Sequence, residues 1–282
     1  MIVAAESCDI EGGIVCTPSN VNELFVFKPI FYIGETGISR THFLILFAAF
    51  LVVVFLFAGL RKKSVVPSKI QSVVESLVTL VREDIAMSVI GKGGEAYVPY
   101  LLSIFMFILV GNLFEVAPLI NFPITSRIAI PLLLSLITYV LFLVAGIRKQ
   151  GKEYFTHLIW PPGLPVALKP LVGLIEFAST LIVRPVSLAV RLFANLVAGH
   201  LMLSLLLVSG YFFIYQNGVW PVPGKIPIGV AWYVFGLAIY GFEIVVSVLQ
   251  AYIFTLLSAV YIQTSLHCLL YTSPSPRDMT GS

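Results

Sequence analysis

Uninterrupted apolar runs of membrane-spanning length recur along this chain and limit what it can fold into. Residues 41–60 form one such run, and residues 98–120 and 128–147 form two more. A helix needs about 20 predominantly apolar residues to cross the hydrocarbon core of a bilayer. The chain is 59% hydrophobic and only 11% charged over 282 residues, which is too apolar for a soluble globular domain. These features predict an all-α polytopic membrane protein.

Two later apolar segments are much longer than one crossing requires. They cover residues 169–215 and residues 228–266. At about 1.5 Å per residue, the first would be roughly 70 Å long as a helix, against a hydrocarbon thickness of about 30 Å. We therefore expect each segment to tilt steeply, bend or break, and in the first segment Pro185 is the expected bend site. With the three shorter runs, the chain is predicted to cross the membrane about five times.

Residues 67–90, between the first two runs, follow a different pattern. Apolar residues recur at helical spacing, and charged residues oppose them. The apolar set is Ile70, Val73, Val74, Leu77, Leu80 and Val81, and the charged set is Lys69, Glu75, Arg82 and Glu83. This pattern predicts an amphipathic helix, which lies either on the cytoplasmic membrane face or against the rest of the protein.

The basic residues of the connecting segments predict the orientation of the chain. Segments 61–97 and 148–152 contain six and three Lys or Arg residues, whereas segments 1–40 and 118–127 contain two and one. Cytoplasmic loops of membrane proteins carry the excess of basic residues. The N-terminus is therefore predicted to lie outside and the C-terminus in the cytoplasm.

Three regions are predicted from these patterns. Residues 1–40 form an extracytoplasmic segment, residues 41–267 form the membrane domain, and residues 268–282 are a non-native or disordered tail, because they are polar and proline-bearing. The three cysteines show no metal-ligand spacing. Cys8 and Cys16 can pair only if their segment lies in an oxidising compartment.

Arg191 lies in the middle of an apolar helical segment, and its position is the hardest in the chain to explain by structure alone. Scales put an arginine at the bilayer centre at about 2.5–3.5 kcal/mol or more, so such a residue faces a partner or a wet cavity. Asn195 is four residues on, about 40° round the helix, and shares its face. His200 is nine residues on, about 180° round, and therefore lies on another face.

Further polar groups lie on both overlong segments. Glu176 precedes Arg191 by about 22 Å on a straight helix, while Glu243 and Gln250 share one face of the last segment because they are seven residues apart. His200 and Glu176 thus lie on either side of the arginine. An arginine does not practically release its proton, so this order suits a proton path in two parts that a fixed cation separates.

Several of these residues also have a purely structural interpretation. Arg184 is expected to snorkel to the interface. Gln250 and Ser247 can act by bonding across helices. Asn112 and Glu115, on one face of the second span, fit either contacts between helices or the entrance to an outer channel.

Two motifs resemble a known family. Residues 185–200, PVSLAVRLFANLVAGH, resemble the signature of subunit a of F-type ATP synthases, and residues 249–262, LQAYIFTLLSAVYI, resemble the last helix of the same family. The resemblance extends over roughly residues 40–267. It implies one upright helix, an interfacial amphipathic helix, further crossing helices, and a final pair of long tilted helices that form a hairpin.

The resemblance also implies a mechanism. Protons would enter an outer half-channel, protonate c-ring carboxylates, and leave through an inner half-channel, with Arg191 facing those carboxylates. Asn195 and Gln250 match its polar neighbours, and Glu176 lies within one position of an acidic residue of the inner half-channel. His200 and Glu243 match a pair that carries one imidazole and one carboxylate in either order. We predict that these two side chains approach each other.

The implied partners are the c-ring subunits, the peripheral-stalk b subunits, the remaining ATP synthase subunits and the lipid bilayer. A bacterial inner membrane is the expected location, ahead of the mitochondrial inner membrane. The chain contains no P-loop, so it is not expected to be catalytic alone. No cofactor, metal or nucleic acid is expected. The alternatives are a stand-alone ion-coupled transporter, which predicts internal repeats, and an intramembrane hydrolase, which needs a nucleophile with a base or paired carboxylates.

Overall fold

A computed structural model describes most of the membrane domain and a short stretch before it. The described residues are 31–33, 36–38, 40–60, 68–91, 93–117, 128–151, 154, 159, 168–215 and 226–266. Cys8, Cys16 and the predicted tail 268–282 lie outside these residues, and so does the side chain of Glu115.

The described elements are mostly helices, in a fixed order along the chain. They comprise β1 (Phe31–Ile33), β2 (Thr36–Ile38), α1 (Arg40–Leu60), α2 (Lys69–Thr79), α3 (Val98–Val116), α4 (Ala129–Gln150), α5 (Lys169–Ala178), α6 (Arg184–Tyr215) and α7 (Ile226–Leu266). Strands β1 and β2 pair antiparallel, with Phe31 opposite Ile38. The sequence patterns did not predict this pair. Two π-helical segments, Leu80–Ile90 and Ser179–Val183, follow α2 and α5.

Five helical stretches in the described part of the chain are long and apolar enough to cross a membrane. They are His42–Gly59, Gly94–Phe114, Ala129–Gln150, Lys169–Ile214 and Ile226–Leu266. The predicted fold class, an all-α polytopic membrane protein with an additional amphipathic helix, is confirmed. The last two stretches contain 46 and 41 residues. At about 1.5 Å per residue, neither fits upright within about 30 Å of hydrocarbon as a straight helix.

The expected irregularity near Pro185 is a π-helical segment in the turn before it. The segment Ser179–Val183 connects α5 to α6, and α-helical geometry resumes at Arg184. Proline lacks an N–H, and its ring displaces the carbonyl four residues earlier, here that of Leu181. The π-helical turn accommodates this break in the hydrogen-bond ladder without ending the helix.

The chain divides into two compact units. The first draws on Met1–Phe57, Met106–Arg127 and Leu192–Ala251, and the second on Ala58–Phe105, Ile128–Arg191 and Tyr252–Ser282. Since α1, α3, α6 and α7 each pass a unit boundary, all four contribute residues to both units.

In the first unit, α6 and α7 pack as an antiparallel pair. The close approaches are Leu206 with Gly236, Gly210 with Tyr233, and Ile214 with Gly229. Each step toward the C-terminus of α6 is thus matched by a step toward the N-terminus of α7. Glycine permits these approaches because a Cβ at Gly229 would lie 2.6 Å from the Ile214 side chain. This part of the pair has the predicted hairpin arrangement.

In the second unit, hydrogen bonds between helices fix the bundle. Ser135 of α4 donates to the carbonyl of Pro185 at 2.7 Å, and the hydroxyls of Tyr100 and Thr138 lie 2.7 Å apart. At the end of α7, Gln150 donates to the carbonyl of Ser265 at 3.0 Å. These bonds satisfy polar groups within helices that are otherwise apolar.

The amphipathic helix packs one row of its apolar residues against its own unit and leaves a neighbouring apolar row exposed. Val74 and Val81 are fully buried, and Val74 fits against Gly59 at the end of α1. Ile70 and Val73 are 53% and 52% exposed. These contacts support the interpretation of a helix that packs on the protein. The exposed apolar row leaves a face available to lipid.

An ion pair closes the loop after this helix. A guanidinium nitrogen of Arg82 lies 2.6 Å from a carboxylate oxygen of Glu95. The hydrogen bond and the negative charge of Glu95 raise the pKa of Arg82, because both stabilise the protonated guanidinium.

Gly94 provides a stability test of this loop. A Cβ at Gly94 would lie 2.6 Å from the backbone oxygen of Ala86, and a backbone atom cannot rotate away. We expect Gly94→Ala to destabilise the fold by about 1–3 kcal/mol through overpacking, measured as a lower unfolding temperature in detergent. Gly111→Ala is the control, since a Cβ there meets nothing within 4 Å. Equal unfolding temperatures for the two variants would contradict the expectation.

Candidate functional site

Arg191 lies on an exposed, apolar side of α6 within the second unit. Val186 and Val190 of the same helix are 47% and 45% exposed, whereas Leu188 and Ala189 are buried. Arg191 is itself exposed. No hydrogen bond or ion pair joins its guanidinium to another described residue. A membrane-spanning helix thus presents a charged side chain outward from an apolar surface, where a bilayer alone would not stabilise it.

Arg184, the first residue of α6, has a partner in the same unit. Its guanidinium carbon lies 5.4 Å from the centre of the Tyr261 ring of α7, a cation–π contact. Glu176 of α5 is half-buried and lies near enough to interact with the charge of Arg184. The predicted inner-side carboxylate therefore has a cation close by. The sequence pattern predicted only that Arg184 snorkels to the interface.

In the first unit, the carboxylate of Glu243 lies directly against the backbone of α6. A Cβ built on Gly199 would be 2.5 Å from both of its oxygens. Gly199 precedes His200, and both His200 and Glu243 are buried, at 7% and 6% exposure. This approach supports the prediction that the acid of one helix and the imidazole of the other come together. The opposite exposures of His200 and Arg191 agree with the half-turn that separates them on α6.

Glu243 begins a buried polar face on α7. Ser247 and Gln250 follow at four and seven residues, and both are buried. This spacing places three polar groups on one face of the helix. Such a face within a membrane span is costly unless water or protein groups satisfy it.

Asn112 of α3 faces the same polar side of α7. Its side chain is 1% exposed, and its amide nitrogen donates to the carbonyl of Ser247 at 3.4 Å. This bond supports the interpretation of Asn112 as a contact between helices. The amide oxygen, however, has no hydrogen-bond partner among the described residues, so the residue also retains a free acceptor toward this interior.

Three buried polar atoms of this unit lack a partner within the described part of the chain. They are Asn112 Oδ1, Glu243 Oε2 and Gln250 Nε2. Buried polar atoms are almost always satisfied, by ordered water where protein groups are absent. One acceptor, one titratable carboxylate and one donor can together hold water that carries protons. Chemically, this cluster suits proton transfer better than bond cleavage.

Two contributors to these sites are not predictable from the sequence patterns. They are Gly199, which lies against Glu243, and Tyr261, which contacts Arg184. Their importance depends on which helices face each other, and a pattern within one helix does not contain that information. Among the described residues, no group of three or more His, Cys, Asp or Glu side chains is placed to hold a metal ion.

In the described part of the chain, five apolar spans, an outward-facing intramembrane arginine and a buried group of titratable and amide side chains define a polytopic membrane protein with polar groups inside the membrane domain. The family model for the ATP synthase A chain matches residues 42–263. The chain belongs to this family.

Relatives from several bacteria support the same conclusion. An ATP synthase subunit a from Frankia alni is 42% identical over 227 residues, 80% of this chain and 76% of the relative. Those from Ehrlichia ruminantium and Gluconacetobacter diazotrophicus are 38% and 37% identical over 238 and 232 residues, 83% and 82% of this chain and 91% and 90% of the relatives. The predicted family is confirmed, and with it the general function of a proton-translocating ATP synthase subunit rather than a stand-alone transporter.

Proposed function

We propose that this chain is the stationary proton-channel subunit of its ATP synthase, with two offset half-channels that serve the carboxylates of a c-ring. The observation that carries the proposal is the outward-facing Arg191, which lies beside exposed apolar residues of α6. An apolar partner helix with an intramembrane carboxylate would both cover those apolar residues and neutralise the guanidinium. The ring of c subunits supplies such a partner.

The outer half-channel is formed by the buried polar cluster of the first unit. Glu243 accepts a proton from water, His200 exchanges it, and the faces of Asn112 and Gln250 hold the intervening water. By its position in the sequence alone, Glu115 is the proposed residue at the channel entrance. Asn195, one turn from Arg191, orients the proton donor or acceptor of the ring.

The inner half-channel contains Glu176. Its half-buried carboxylate lies near Arg184, and an acid in such a position can take a proton from the ring and release it to water. Arg191 separates the two paths because a guanidinium offers hydrogen-bond donors but no acceptor and therefore does not relay protons. A proton therefore crosses only when the ring carries it past the arginine.

The proposal also includes the partners of the chain and its orientation in the membrane. It is a subunit without a catalytic site of its own, anchored to peripheral-stalk b subunits in a bacterial inner membrane, with its N-terminus outside and its C-terminus in the cytoplasm. The test of the function is Arg191→Ala in the assembled complex, for which synthesis coupled to proton flow should be lost.

An exchange of residues tests the relay between the two helices. Because Gly199 lies against the Glu243 carboxylate and adjoins His200, the pair His200→Glu with Glu243→His keeps one acid and one imidazole in the same place. We expect each single variant to lose most proton flux and the double variant to retain several-fold more than either. The measurement is ATP-driven proton uptake in vesicles. Equal loss in all three variants would remove the relay from the proposal.

A further inference from the structure

A groove in the second unit, outside the proton-transfer site, combines an apolar wall with a basic end. Its volume is about 810 Å³. One wall is a face of α4 on which Leu136, Val140 and Val144 recur every four residues. These side chains are 50%, 52% and 41% exposed. The opposite wall is the start of α3, and Leu266 of α7 closes one end.

The groove is held open by contacts between its walls. The hydroxyl of Tyr100, on the α3 wall, lies 2.7 Å from that of Thr138 on α4. Gln150 donates to the carbonyls of Ser265 and Leu266 at 3.0 Å and 3.4 Å. The three walls are thus joined near both ends, so the groove is a built feature of the bundle rather than a gap between independent helices.

Positive charge is concentrated at one end of the groove. Arg148 and Lys149, in the last turn of α4, line it and are exposed. Neither makes an ion pair within the described part of the chain, and the nearby acid Glu95 is engaged by Arg82 at 2.6 Å. Two cations that make no ion pair with a described residue therefore face a space that has no carboxylate among its described lining residues.

The length of the groove matches one leaflet of a bilayer. From Leu136 to Arg148 the helix rises about 18 Å at 1.5 Å per residue, and half of the hydrocarbon core is about 15 Å. An acyl chain that lies along the row of Leu136, Val140 and Val144 would place its headgroup at Arg148 and Lys149. A soluble anion would use only the basic end and leave the apolar wall uncovered.

We infer that this groove binds one anionic phospholipid of the adjoining leaflet, with its acyl chain along α4 and its phosphate at Arg148 and Lys149. Basic pockets between membrane helices bind acidic headgroups in this way. The lipid would fill the space between the start of α3, α4 and the end of α7. The site is independent of the proton path, so the proposal stands or falls separately from the function above.

The test is photocrosslinking in the purified, assembled complex in vesicles. The probes are phosphatidylglycerol and phosphatidylcholine, each with a diazirine on the acyl chain, and the crosslinks are mapped by mass spectrometry. We expect crosslinks on α4 within residues 136–145, with a clear preference for phosphatidylglycerol. One basic residue near an acidic headgroup is worth roughly fivefold in binding, so Arg148→Gln with Lys149→Gln should reduce the preference by roughly 25-fold.

Two further variants separate a binding site from a general charge effect. Val140→Trp, which fills the groove and keeps both cations, should reduce crosslinking of both lipids at α4. Lys69→Gln, which removes an exposed cation outside the groove, should change neither. If the double Gln variant keeps the full preference for phosphatidylglycerol, the proposal is wrong.

The same experiment excludes other occupants. Millimolar inorganic phosphate that abolishes the phosphatidylglycerol crosslinks would assign the basic end to a free anion and overturn the lipid proposal. Absence of any lipid crosslink on α4 in the wild-type complex would show that another subunit covers the groove, and this result would also overturn it.

Discussion

In the assembled complex, Arg191→Ala should abolish ATP synthesis coupled to proton flow and raise passive proton leak through the membrane. The side chain is exposed on an apolar face and has no described partner within the chain, so its removal should leave the fold of this subunit intact. What is removed is the fixed positive charge between the two paths, and protons can then pass without turning the ring.

The measurements are ATP synthesis driven by an imposed proton gradient and the decay of that gradient without nucleotide. We expect synthesis at background level and a leak that a c-ring carboxylate inhibitor suppresses. Lys69→Ala is the matched control, since it removes a positive charge from α2, outside the predicted membrane spans, and should alter neither quantity. Full coupled synthesis in Arg191→Ala would overturn the proposed function.

Gly199→Ala should reduce proton flux by between roughly tenfold and 100-fold while the subunit remains folded. The added Cβ would lie 2.5 Å from both carboxylate oxygens of Glu243. The carboxylate is the end of a flexible side chain, so it can move aside, and the backbone stays in place. A misplacement of about 1 Å in a reacting group can cost roughly 100-fold in rate.

A second substitution distinguishes displacement of the carboxylate from a general defect. Glu243→Asp shortens the acid by one methylene and makes room for the Cβ, so Gly199→Ala with Glu243→Asp should transfer protons faster than Gly199→Ala alone. Gly111→Ala is the control, because a Cβ there meets nothing within 4 Å. ATP-driven proton uptake in vesicles is measured for the wild type and for these three variants. Unchanged uptake in Gly199→Ala would show that the position of the Glu243 carboxylate does not matter for transfer.

Much of the fold follows from patterns within single helices. A span of 18–22 apolar residues is recognised by its own composition, and all five predicted crossings were found within six residues of their predicted bounds. The irregularity near Pro185 was also predictable, because a missing N–H acts within one turn. Its form, a π-helical segment over Ser179–Val183, could not be predicted from the sequence. Either a sharp bend or a widened turn accommodates a proline, and packing decides between them.

The amphipathic helix shows that a periodic pattern does not decide which of its apolar residues are buried. Its apolar residues share a broad face in the sequence, yet Val74 and Val81 are buried while Ile70 and Val73 are exposed. Helical periodicity places all four on one side and cannot tell which line meets α1. That choice depends on Gly59, which lets Val74 approach and lies outside the helix itself.

By itself, the sequence determined the membrane class, the number of spans, the family motifs around Arg191, and the half-turn between Arg191 and His200. These features depend on composition and on the geometry of one helix, which are local. Only the tertiary structure decided that Glu243 lies against Gly199, that Asn112 bonds the carbonyl of Ser247, and that Arg184 stacks on Tyr261. Each joins residues more than 40 positions apart, and their meeting depends on how antiparallel helices align, which is a property of the packed bundle.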